Sequence, residues 1–116
     1  MEGVYFSVDV VNQKVLQVSS ASGKVYGCAQ EAFIKNVQLW LEVVHPDDLK
    51  IVESAMPSVT SDGKVMHSDD RIVRPDGSIR WVEAKIKPLV DEKKRLVRLD
   101  GVIADSTDKI RAENDL

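Results

Sequence analysis

Few side chains in this sequence are of a type that does chemistry, and none stands at the spacing that a reaction or a metal demands. There are two histidines and one cysteine. His45 precedes Pro46-Asp47-Asp48, where a polar capping role at a helix start accounts for it better than a metal or haem role. His67 lies beside Ser68 and Asp69 on a strand-like segment, with no partner at metal-ligand spacing. It reads as a solvent or edge position rather than a ligand. Cys28 sits in Gly27-Cys28-Ala29-Gln30 and has no activating neighbour in sequence, so a reactive thiolate is not indicated. The paired carboxylates Asp47-Asp48 suit the first turn of a helix, near the positive end of its dipole. Asp69-Asp70 occupy adjacent strand positions whose side chains point to opposite faces, so they form no acid–base dyad. A phosphate-binding glycine loop, a Cys/His array and a nucleophile elbow are all missing. The chain is therefore read as not an enzyme.

The bulk properties narrow the class. With 116 residues the chain suits one domain. Hydrophobic residues make up 43% and charged residues 30%, ordinary for a globular protein. The net charge of −3 offers no nucleic-acid footprint, and the basic run Lys93-Lys94-Arg95 reads as a solvated hairpin tip. One cysteine forbids an internal disulfide and fits a reducing compartment. No apolar run has the length to span a bilayer, and the N-terminus lacks a signal-peptide pattern, so a cytoplasmic domain without membrane contact is expected.

The elements that position these residues follow from periodicity. Val4, Phe6, Val8 and Val10 alternate on one face of a strand, Asn12-Gln13 make a turn, and residues 14–19 form a second strand. Helical spacing then predicts short helices over Gln30–Ile34 and Val37–Val44. A clearer helix starts at Pro46, with Asp48 able to reach back to the capping N–H and Leu49, Val52 and Met56 as its apolar stripe. Pro57 ends it, and Ser58–Gly63 form the exit loop. Strands follow over 65–74, 79–89 and 96–104. Pro75-Asp76-Gly77 make the first turn of this meander, glycine supplying a positive φ, and residues 91–95 make the second. Ser106 or Thr107 can cap a polar terminal helix. The pattern is α+β: a five-stranded antiparallel sheet with short helices packed on one face and a C-terminal exit helix. One boundary is placed near Asp105, giving a domain over 1–105 and the start of a helical linker over 106–116.

Three segments in this order carry a resemblance: Trp40 to Asp48 with His45-Pro46-Asp47-Asp48, Arg71 to Trp81 around Pro75-Asp76-Gly77, and Gly101 to Thr107. Together they resemble the PAS domain, with its C-terminal PAC motif, of bacterial sensor proteins, over about residues 4–110. Ser106 departs from the pattern, which has an apolar residue between Asp and Thr. The resemblance implies a strand order with the N-terminal hairpin beside the last strand, and a small cavity. Its lining would come from Phe33, Trp40, Val44, Val52, Met56, Ile72, Ile86, Leu99 and Ile103, which plain core packing explains equally well. Asp105 and Thr107 match the exit motif and would act as the signal relay. Flavin is disfavoured: the Asn-Cys-Arg-Phe-type motif is absent at Cys28, and residues 65–105 contain neither Asn nor Gln. Haem is disfavoured too, and no cofactor or metal is assigned.

The expected function is sensory input: a small molecule bound, or a conformational change relayed, to a covalently linked output domain. Family habit favours a diguanylate cyclase slightly over a histidine kinase. The alternative is a ligand-free module for homodimerisation or protein interaction, using the outer sheet face and the terminal helix. Trp40 and Trp81 are expected in the core or on its rim, although an outward Trp81 would be a partner-binding anchor.

Overall fold

The computed structural model describes residues 3–59 and 64–114, apart from the side chains of residues 55–59. The N-terminal hairpin pairs β1 (Gly3–Asp9) with β2 (Lys14–Val18). Asp9 holds its turn by accepting bonds from the Asn12 main-chain and side-chain nitrogens, and the left-handed residue is Gln13 (φ 54°). Four helices follow: α1 (Ser22–Val25), α2 (Gln30–Lys35), α3 (Leu39–Glu42) and α4 (Pro46–Val59). The meander β3 (Met66–Val73), β4 (Ile79–Val90) and β5 (Leu96–Asp105) leads into α5 (Thr107–Asn114). The sheet order is β2-β1-β5-β4-β3, and every neighbouring pair is antiparallel.

The sheet therefore agrees with the expected plan, including the hairpin beside the last strand. The helical region differs in detail. The single turn α1 carries no apolar periodicity that would reveal it. The apolar spacing over 37–44 yields only the four residues of α3, because the chain leaves the helix at Val43 to run along the sheet. Helix α4 continues past Pro57 to Val59, so this proline does not end it. Of the expected exit loop, residues 60–63 lie outside the described residues.

Val43 to His45 dock on the open edge of β3. The Val73 N–H donates to the Val43 carbonyl (2.8 Å) and the His45 N–H to the Arg71 carbonyl (2.8 Å), around a bridge between Val44 and Ile72. An edge strand otherwise presents unpaired main-chain groups. His45 Nδ1 then accepts from the Asp47 N–H (3.1 Å), the capping role read from the sequence. Asp48 takes a different partner from the one expected. Its carboxylate accepts from the Arg71 N–H (2.8 Å) and from Arg71 Nε (3.0 Å) and Nη2 (2.8 Å). A guanidinium offers two parallel donors, a stronger match than a lone capping N–H.

The core lies on one sheet face, where Val4, Phe6, Val82, Ala84 and Ile103 meet Val25, Tyr26 and Phe33 from the helices. Trp40 stacks on Phe33 (centroids 4.1 Å apart) and leans on Phe6 (4.8 Å). Two glycines matter to this arrangement. Gly77 (φ 85°) turns β3 into β4, with the Asp76 carboxylate accepting from the Ser78 N–H (2.9 Å). Gly101 lies opposite Phe6 in the sheet, and the Phe6 ring lies against it. A Cβ at 101 would stand 2.6 Å from Phe6 Cζ and 3.0 Å from the Lys85 carbonyl. Gly101→Ala is therefore expected to destabilise the domain by about 1–3 kcal/mol, read as a lower midpoint in urea. An unchanged midpoint would show that the Phe6 ring has room to move.

Candidate ligand-binding cavity

Between the sheet and α3–α4 lies a cavity of about 320 Å³, at the small end of ligand pockets, which run from about 300 to 1,000 Å³. Of the residues expected to line it, Trp40, Val44, Val52, Ile72, Ile86, Leu99 and Ile103 are on its wall. Phe33 is not. It is fully buried beneath Trp40, whose ring faces the cavity in its place. Met56 lies outside the residues whose side chains are described. The wall also includes Phe6, Val8, Tyr26, Val82 and Ala84, and four polar residues, Gln13, Gln38, Ser68 and Asp70.

The polar residues are what sequence reasoning missed. Ser68, Asp70 and Ile72 alternate with outward residues along β3, so an inward Ile72 puts Asp70 on the cavity side. The signal was available: placing Ile72 in the core and Asp69-Asp70 on opposite faces together assign Asp70 to the interior. Ser68 Oγ donates to Asp70 Oδ2 (2.9 Å). Burial pushes the Asp70 carboxyl above the ordinary carboxylate value; Ser68 pulls it back, while the charges of Asp48 and Asp69 add to the rise. The Tyr26 phenol is also pushed up, first by burial and then by the Asp70 charge. Trp40 Nε1 is buried without a hydrogen-bond partner among the described residues.

The opposite sheet face carries a second constellation. Trp81 is half-buried there, next in sequence to the cavity-facing Val82, and the Arg71 guanidinium stands over its ring at 5.6 Å. The Trp81 main chain holds the start of α5: its N–H donates to Thr107 Oγ1 (2.9 Å) and its carbonyl accepts from the Ser106 N–H (2.8 Å). Asp105 accepts from Arg80 Nε (2.7 Å) and from the Thr107 N–H (2.9 Å). Burial alone would raise the Asp105 carboxyl, but the bonds from Arg80 and Thr107 together hold it low. The cap of α5 thus differs from expectation. Asp105 takes the Thr107 N–H, while Ser106 Oγ is buried with no partner among the described residues. Thr107 Oγ1 is drawn to Trp81 because that strand N–H faces the helix start.

The remaining candidates are peripheral. Cys28 Sγ donates to the Tyr26 carbonyl (3.7 Å), and burial pushes its thiol up, so it is not poised as a nucleophile. His67, read as lacking a metal-spaced partner, acquires one from the adjacent strand: its Nε2 lies 3.2 Å from Glu83 Oε2. With Asp69 these ligand-type atoms fall within 4.8 Å of one another. The cluster is on the outer face, and the Lys109 ammonium lies 3.9 Å from the same Glu83 oxygen. The basic residues Lys93, Lys94 and Arg95 are exposed at the β4–β5 hairpin tip. Among the described residues no helix is long and apolar enough to cross a membrane.

Replacing Asp70 by Asn removes the charge with little change of shape. Because the folded-state value lies above 3.8, ionisation of Asp70 opposes folding near neutral pH. That opposition disappears as pH falls through the folded value to 3.8. Asp70→Asn is expected to melt above the wild type at neutral pH, with the gap closing on acidification. Melting curves across this range test it, and a gap that widens toward acid would refute the apolar setting of Asp70.

Comparison with known proteins agrees with this architecture. The family model described as "PAS fold" matches residues 15–103. A methyl sulfide methyltransferase-associated sensor from Methanosarcina acetivorans is 24% identical over 107 residues. That match takes in 91% of this chain, which spans only 10% of the sensor's length. Among solved structures, the N-terminal domain of a diguanylate cyclase with PAS/PAC sensor from Marinobacter aquaeolei superposes with TM-score 0.82 at 17% identity, covering 93% of this chain and 98% of that one. A sensory box histidine kinase/response regulator from Burkholderia thailandensis gives 0.80 at 20% identity, covering 97% and 83%. These likenesses show the fold, and the extent of the family match establishes that this chain belongs to the PAS fold family.

Proposed function

We propose that this domain is a cytoplasmic sensory input module whose cavity takes a small, largely apolar molecule and whose exit helix passes the bound state to an output domain. The observation that carries this reading is the alternation along β3 and β4. On one face Asp70, Ile72, Val82 and Ala84 line the cavity; on the other, Arg71 and Trp81 connect the start of α4 to the start of α5. A ligand that favours one position of these strands over another would bias the helix they hold. The output is read as a diguanylate cyclase in slight preference to a histidine kinase, in keeping with the similar domains from those two protein types. In this reading the domain performs no catalysis, and Asp105 and Thr107 serve as the relay.

A second reading is a ligand-free dimerisation module. It is supported by Tyr5 and Leu16, which are 62% and 53% exposed on the N-terminal hairpin. Native against denaturing mass spectrometry of freshly purified protein separates the two. The sensory reading expects an additional noncovalent mass that disappears on denaturation. Bare polypeptide at twice the monomer mass favours dimerisation instead. The relay has its own test. In a parent protein with its output domain attached, Asp105→Ala should abolish the ligand response while lowering the melting temperature by only a few degrees. Loss of folding in parallel with loss of response would make Asp105 structural.

A further inference from the structure

Among the described residues the cavity wall holds one acidic side chain, Asp70, and the others are apolar or neutral. A carboxylate in such surroundings is costly without a counter-charge, and the charges acting on it, Asp48 and Asp69, are both negative. The adjacent cation cannot serve: Arg71 points to the opposite sheet face, where two hydrogen bonds commit its guanidinium to Asp48. Ser68 Oγ orients the carboxylate by donating to Oδ2. The rings of Phe6, Tyr26 and Trp40 add flat apolar surface to the same wall, a setting that favours an organic cation on two counts, since aromatic faces attract positive charge. An anionic ligand would meet repulsion from Asp70.

We propose that the cavity recognises a small organic amine, its protonated nitrogen set against Asp70 beside Ser68 and its apolar body against Phe6, Tyr26 and Trp40. This rests on the sensory reading and gives it a ligand class. The volume of about 320 Å³ suits a single ring or a short alkyl chain and excludes a dinucleotide.

The test is calorimetric titration of the 116-residue chain with 2-phenylethylamine and with 2-phenylethanol, which share a carbon skeleton but differ in charge. The wild type is expected to bind the amine at least about tenfold more tightly than the alcohol. Asp70→Asn should remove that preference, bringing the two affinities to within about twofold of each other. Equal affinities in the wild type, or an undiminished amine preference in Asp70→Asn, would overturn the assignment. So would the absence of binding by either compound at millimolar concentration. The native mass measurement reports separately whether the cavity holds any ligand, so failure of the amine assignment is distinguishable from failure of the sensory reading. A melting curve of Asp70→Asn establishes that a lost preference is not lost fold.

Discussion

The contact between Asp48 and Arg71 is the constraint on which the rest of the arrangement depends. One carboxylate takes a main-chain N–H at the edge of β3 and two nitrogens of a guanidinium. It thereby fixes three things: where α4 starts, where the outer strand ends laterally, and how the Arg71 side chain lies over Trp81. The Arg71 hydrogen bond is the foremost reason the Asp48 carboxyl stays below its ordinary value. Without this contact the first turn of α4 would be held to the sheet through the main-chain bonds of Val43 and His45. Val44, Val52 and the cavity roof between them would lose their reference point.

The alternation of strand side chains does the remaining work. β3 and β4 each present one row to the cavity and one row to the outer face. Asp70 and Arg71 are consecutive, as are Trp81 and Val82, so the cavity and the exit helix are separated by the thickness of one sheet. A displacement of either strand acts on both faces at once. The main-chain bonds between β3, β4 and β5 tie the two rows together.

Most of the sheet was legible in the sequence. Period-two alternation located all five strands to within a residue or two, and Pro75-Asp76-Gly77 located a turn. The seven wall residues that the cavity shares with the sequence reading came from mapping the PAS resemblance onto apolar positions. What escaped reading was set by tertiary contact. Helix α1 has no period of its own, and α3 is cut short where Val43 to His45 pair with β3. Asp48 exchanged a local cap for a guanidinium 23 residues away. Phe33 lies off the wall because a resemblance mapped onto apolar positions does not say which of two stacked rings meets empty space. Glu83 came to His67 through strand pairing, which spacing along one strand cannot show.

The division of labour between the two sheet faces also bears on how such a domain can diverge. A substitution at 68, 70, 72, 82 or 84 alters what the cavity accepts and leaves the outer row of side chains untouched. A substitution at 81 alters the junction with α5 and leaves the cavity-facing row in place. The two rows of side chains are therefore separately mutable, although they share two strands. Drift along alternate positions can reshape the cavity while the junction that holds the start of α5 stays as it is.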